Sequence, residues 1–304
     1  MSVLPRSWSI AVAVAFLLVP TGCGGRGDEP PTKADESAAG RTEPRGHGDG
    51  DLRFVPATYR EGERVVLPIT FPDGTSAELV YPPELQIAEL GVFPYTSATL
   101  RGNSPTPGRG DLVARDFVIR HGGLDELLMA RNEGMPPKLL AQYEGADGRV
   151  VGFWDFGWND TAHYLGFQFG RWTVLVYDYI EPGALTDAER ASWAANFSGR
   201  ETDEGFLLLE SSGPLRLARA GEHAGPELTF SAGNPNRALI LFPGECRPHR
   251  DQTRLVDGKL VQWSGGFADW CLSDSMRIHA EGSREFVGAL IRELEVRNVT
   301  IAKG

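Results

Sequence analysis

Lysine is almost missing from this chain: of 304 residues only Lys33, Lys138, Lys259 and Lys303 carry an ammonium, and arginine supplies the other basic groups. Acidic residues outnumber basic ones by 41 to 30, giving a formal net charge of −11. Affinity for nucleic acid comes mainly from basic groups that displace counterions, and anionic lipids or wall polymers attract the same groups. The composition therefore argues against nucleic acid and against a charge-driven membrane surface as partners. Long hydrophobic runs are absent too. The most apolar stretch, residues 8–19, has twelve residues, whereas a helix needs about 20 to cross a bilayer. There is no H-E-x-x-H, no G-x-x-x-x-G-K-[ST], no G-x-G-x-x-G and no EF-hand pattern, so the common zinc-protease, nucleotide and calcium readings lack support. Nothing calls for a cofactor.

Cysteine is equally scarce, at Cys23, Cys246 and Cys271. The last two form the obvious pair. In an oxidising compartment they are expected to make a disulfide, and closing a loop of this size stabilises a fold by roughly 3 kcal/mol in the chain-entropy model. The alternative is a zinc site, because Cys246 and His249 stand at C-x-x-H spacing and Cys271 and His279 follow. The second half of that set departs from the usual short ligand spacing. The disulfide, with no metal, is the expectation.

What the chain does have is an address. Arg6 precedes the apolar stretch, and Thr21 and Gly22 place small residues just before Cys23. This segment resembles the signal peptide and lipobox of a bacterial lipoprotein, with Pro20 standing where that family usually has an aliphatic residue. The resemblance covers only the first two dozen residues. It implies that residues 1–22 are removed, that the Cys23 thiol is acylated, and that lipidated Cys23 becomes the mature N-terminus on the extracytoplasmic face of the cell membrane. Residues 24–50 contain no Ile, Leu, Val, Phe, Tyr or Trp, so nothing there offsets the entropy of ordering the segment. Such a Gly-rich tether has a root-mean-square span of about 30 Å. The Arg-Gly-Asp tripeptide at residues 26–28 is read as chance composition.

Residues 51–304 are long enough for one large or two small domains. Proline and glycine mark a tight turn at Pro72-Asp73-Gly74 between apolar runs at 64–71 and 77–81, the pattern of a β-hairpin. A short helix is expected from Pro82 to about Gly91, and another at 124–132. Strands are expected near 93–100, 112–120, 138–143, 150–158 and 163–179, the last a paired run turning at Phe169-Gly170-Arg171. Thr186 and Glu189 have capping-box spacing at the start of a helix expected to reach Phe197, with Gly199 as its C-cap. Further strands follow near 205–209, 227–230, 237–242 and 276–280, with a hairpin turning at Asp257-Gly258. Ser283 opens a final helix in which Phe286, Val287, Leu290, Ile291 and Leu294 make one apolar stripe. Together these predict a β-rich α+β fold: antiparallel sheets covered by a few amphipathic helices. Two lobes, 51–200 and 201–304, are the first choice and a single split sheet the alternative.

Candidate chemistry is thin. Ser264 lies in Gln262-Trp263-Ser264-Gly265-Gly266, which lacks the first glycine of a nucleophile elbow, and His121-Gly122-Gly123 reads as the end of a strand. Asp155, Asp160 and His163 around a turn could hold a metal or act as acid and base, although a solvated turn accounts for them. Alternation puts Trp154, Phe156 and Trp158 on one face of a strand. Exposed, that row would be a platform for a glycan or an apolar ligand; against a helix after Thr186 or Ser283, it is core, and core is the expectation. The sequence thus points to a lipid-anchored extracytoplasmic binding or envelope-support module, its partner an envelope protein, glycan or small apolar ligand. An envelope hydrolase without a recognisable motif is the alternative.

Overall fold

Alternating apolar residues build most of this chain into strands. A computed structural model describes residues 42–46, 52–101, 112–131, 136–156, 162–179, 184–232, 237–247 and 253–302, all within one compact unit. The chain starts with β1 (Arg45–Gly46), β2 (Phe54–Val55), β3 (Tyr59–Glu61), β4 (Arg64–Thr70) and β5 (Ser76–Tyr81). Two 3-10 turns, Pro83–Leu85 and Ala88–Leu90, lead to β6 (Val92–Tyr95), β7 (Ser97–Arg101) and β8 (Leu112–His121). After α1 (Leu124–Arg131) come β9 (Lys138–Glu144), β10 (Val150–Asp155), β11 (Ala162–Phe169) and β12 (Trp172–Tyr179). Next are α2 (Asp187–Asn196), β13 (Phe197–Glu201), β14 (Leu207–Ser211), β15 (Leu215–Leu217), β16 (Glu227–Ser231) and β17 (Arg237–Pro243). The last part holds β18 (Thr253–Val256), β19 (Lys259–Ser264), β20 (Phe267–Ser273), β21 (Met276–Gly282), α3 (Arg284–Glu293) and β22 (Glu295–Thr300).

The described strands form four antiparallel sheets, as the β-rich α+β expectation requires. Nine strands run in the order β1-β2-β6-β16-β17-β21-β20-β19-β18 and seven in the order β15-β7-β8-β12-β11-β10-β9. A four-stranded sheet, β22-β5-β4-β3, and the hairpin β13-β14 complete the set. Strands from before and after residue 200 share three of these sheets, through the pairs β6 with β16, β7 with β15, and β5 with β22. The position near residue 200 falls inside β13, between α2 and its hairpin partner.

Local chemistry sets the helix ends. Thr186 Oγ1 accepts from the Glu189 amide at 3.2 Å, and the Glu189 carboxylate accepts from the Thr186 amide at 2.7 Å, the reciprocal capping box. Ser283 Oγ accepts from the Phe286 amide at 3.2 Å to start α3. At the other end of α3 the orphan carbonyls are taken by cations: Lys259 Nζ donates to the Ile291 and Leu294 carbonyls and Arg64 to that of Glu293. The expected cap at Gly199 is corrected, because the chain turns extended at Phe197 and passes straight into β13. Gly199 instead permits close packing: a Cβ there would stand 2.8 Å from the Phe169 ring and 3.0 Å from the Leu208 carbonyl oxygen.

The main core joins the inner faces of the sheets. It includes Phe54, Leu67, Trp172, Trp193, Phe230, Leu241 and Ile278, all fully buried, together with Val287, Leu290 and Ile291 of α3. A second, smaller cluster lies on the opposite face of the seven-stranded sheet, where Leu127 and Leu128 of α1 cover Phe156, Tyr164 and Leu175.

Candidate functional site

The nine-stranded sheet keeps one face for the core and turns the other outward. On β17 the alternation is sharp: Leu239 and Leu241 are fully buried, whereas Ile240 and Phe242 are only partly covered. Register carries the outward row across five strands, with Thr229 opposite Ile240, Ile240 opposite His279, His279 opposite Asp269, and Asp269 opposite Gln262. A neighbouring outward row contains Tyr95 opposite Glu227, then Phe242 opposite Arg277, and Arg277 opposite Cys271.

Two loops rise beside this face and make it concave. One is residues 221–226, the other residues 244–247, and between them and the strands lies a cleft of about 700 Å³. The loops touch through glycine. A Cβ on Gly244, whose φ is +124°, would stand 2.4 Å from the Gly221 nitrogen, so only glycine lets the two backbones approach this closely. The Gly221 amide donates to the Pro243 carbonyl at 2.9 Å, and the Gly244 and Cys246 amides donate to the Ser275 and Asp274 carbonyls. The wall is then fixed covalently: Cys246 and Cys271 are bonded, with their Cα atoms 5.7 Å apart. The expected disulfide is present. It removes the zinc alternative at these two residues, because the sulfurs are spent on each other and His279 is engaged elsewhere; His249 lies outside the described residues.

Six ionised side chains line the cleft, and four of them are neutralised within the protein. Glu222 accepts from Arg216 at 2.8 Å and from the Arg219 amide at 3.0 Å. Burial pushes its carboxyl up, but these partners outweigh that and hold it below its ordinary value. Glu245 pairs with Arg247 at 2.7 Å. Asp269 faces the His279 ring at 3.1 Å, and the other ring nitrogen lies 3.1 Å from Glu281. The Asp269 hydrogen bond, against burial and with help from Glu281, holds the His279 imidazole above its ordinary value.

Glu227 and Arg277 remain. Among the described residues neither makes a hydrogen bond or ion pair. Burial pushes the Glu227 carboxyl up to about 6, and the positive field of Arg277 opposes that shift. The Arg277 guanidinium lies on the Phe242 ring, 4.3 Å from its centroid, which aims it by cation–π attraction without using its N–H donors. Beside Glu227, burial and then the charge and hydrogen bond of Asp116 hold the Tyr95 phenol far above its ordinary value, so it stays neutral. Leu255 and Leu260 stand opposite each other at the far edge, 72% and 40% exposed, and give the mouth an apolar lip.

No protein-family model, curated protein or solved structure matches this chain.

The residues singled out from sequence are spread through the molecule. Trp154 and Phe156 lie on the other sheet, with Phe156 buried under α1 and edge-on to Tyr164 at 4.7 Å. The cover is α1, not the helices after Thr186 and Ser283, which pack into the main core. Trp154 has its own seat: Gly152 and Gly166 are cross-strand partners, and a Cβ on Gly152 would stand 2.3 Å from the Trp154 indole nitrogen. Trp158 and Asp160 lie outside the described residues, as do Cys23 and the leader. Asp155 ends β10, and the His163 ring packs edge-on against Phe153 at 5.2 Å. Ser264 ends β19 at the turn into β20. His121 ends β8, stacked on Phe54 at 5.5 Å, and burial lowers its imidazole below the ordinary value. Among the described residues no group of three or more His, Cys, Asp or Glu could hold a metal ion.

The cleft is not legible in the sequence because its residues come from two loops and from β6, β16, β17, β18, β19, β20 and β21, which share no local motif. Two signals were present. Gly244-Glu245-Cys246 joins the pairing cysteine to a glycine-bearing turn, and Arg277 and His279 put two basic side chains on the outward positions of the alternating strand β21.

Proposed function

We propose that this protein is a lipid-anchored extracytoplasmic binding module whose ligand site is the cleft on the outward face of the nine-stranded sheet. The observation that carries the reading is the cleft itself: about 700 Å³, walled by two loops, and closed by the Cys246–Cys271 bond. A cleft of that volume lies in the size range of small-molecule sites, and polar groups converge in it. The anchor rests on the Thr21-Gly22-Cys23 signature after an apolar stretch.

A binding role accounts for the site better than hydrolysis. Glycoside hydrolysis places two carboxyl groups about 5 to 9.5 Å apart. Glu227 on β16 and Asp269 on β20 are separated by β17 and β21, three strand spacings or about 14 Å. Asp269 is moreover held by His279.

A fragment library screened by NMR against the purified protein tests the cleft. Leu260→Trp puts an indole into it from an exposed position, so hits in the wild type should be lost in this variant. Hits that persist in Leu260→Trp, or no hits in either protein, would refute the assignment. Fractionation tests the anchor. Cys23→Ala should move the protein from the membrane to the soluble fraction, and an alanine variant that stays with the membrane like wild type sinks the lipobox reading.

A further inference from the structure

We propose that the cleft takes a free amino acid with an apolar side chain, its carboxylate held by Arg277 and its ammonium by Glu227. This rests on the cleft being the ligand site. Once Glu222, Glu245, Asp269 and Arg247 have been satisfied by partners within the protein, the lining retains one cation and one anion without hydrogen-bond partners among the described residues. They are close enough for the field of Arg277 to act on Glu227, yet they form no ion pair. Phe242 stands between their strands, and the guanidinium lies on its ring.

A ligand carrying a single charge would satisfy one of these groups and leave the other facing it. A lone carboxylate on Arg277 would meet Glu227, and a lone amine on Glu227 would meet Arg277. A zwitterion satisfies both with attractive interactions, and guanidinium presents the paired N–H fork that suits a carboxylate. A phosphate dianion fits poorly, since four carboxylates line the cleft and like charge is costly at short range. Leu260, which lines the cleft together with Arg277, and Leu255 opposite it offer an apolar rest for the side chain. The Tyr95 phenol, held neutral by burial and by its hydrogen bond with Asp116, stands beside Glu227 as an uncharged acceptor.

Isothermal titration calorimetry of the full chain with three probes tests this. L-leucine carries both charges; 4-methylpentanoate lacks the ammonium and 3-methylbutylamine lacks the carboxylate. Removing either charge-assisted hydrogen bond should weaken binding by about tenfold or more, so leucine should bind most tightly. Arg277→Gln should weaken leucine by a similar factor but tighten 3-methylbutylamine, because the cation that repels the lone amine is gone. Glu227→Gln should do the converse, weakening leucine and tightening 4-methylpentanoate. Equal affinity for all three probes overturns the zwitterion inference while leaving the cleft as a binding site. So does silence from all three when fragments still occupy the cleft. If the fragments fail as well, the cleft reading falls with it.

Discussion

Glu227 is a carboxylate that the fold accommodates at a cost. Its ordinary value is 4.5, and burial pushes it up to about 6. The folded state thus binds this proton more tightly than the unfolded state, and linkage fixes the sign. Below about 4.5 the group is protonated in both states and contributes no pH-dependent penalty. Between there and about 6 the penalty grows, and above about 6 it is fully present. Glu227→Gln keeps the shape and removes the charge, so the variant should melt higher than wild type at pH 8 and at the same temperature at pH 4. Scanning calorimetry at the two values separates the cases, and an equal shift at both would mean that the effect is packing and not charge. The same residue sets ligand behaviour. If it holds an ammonium, leucine affinity should fall as pH drops through 6 and Glu227 loses its charge, with Arg277 two strands away and the neutral Tyr95 opposite it unchanged over that range.

Among the elements, those announced by backbone chemistry were legible in the sequence. Pro72-Asp73-Gly74 does turn β4 into β5, Asp257-Gly258 turns β18 into β19 with both residues at positive φ, and the Thr186 box and Ser283 cap begin α2 and α3. Elements defined by distant pairing were not. β22 has no alternating apolar signature, with no residue fully buried, and exists because it docks on β5 some 200 residues earlier. β13 follows α2 with no intervening residue because Phe197 fits among Phe117, Phe167 and Trp193. Phe156 is buried as its place in the alternation predicts, but under α1 and not under the helices that begin after Thr186 and Ser283. α1 is only two turns long, and its role comes from crossing β11 and β12 directly above Tyr164 and Leu175. Phe156 is 1% exposed there, so Phe156→Ala should cost about 3 to 5 kcal/mol through lost transfer energy and a residual cavity. Denaturant melts measure this, and an unchanged midpoint would mean that α1 does not hold the ring in solution.

For the whole molecule, the decisive relation is between the Cys246–Cys271 bond and the cleft. The bond closes a loop over 25 positions of sequence that contains β18, β19 and most of β20, one complete side of the nine-stranded sheet. Restricting the unfolded chain over that length is worth roughly 3 kcal/mol in the chain-entropy model. In the folded state the same wall has independent supports: the Gly244 and Cys246 amides each donate to a backbone carbonyl of residues 274–275, and the Gly221 amide holds the facing loop to Pro243. The two contributions act on different states of the protein, so they can be separated. Replacing both cysteines by alanine should lower stability by about 3 kcal/mol in urea unfolding while fragments and leucine still bind the cleft at room temperature with little change in affinity. Loss of stability together with loss of binding would mean that the disulfide, and not the backbone hydrogen bonds, shapes the wall. Unchanged stability would contradict the loop-closure account itself, since a bond that spans this part of the sheet cannot leave the unfolded chain unrestricted.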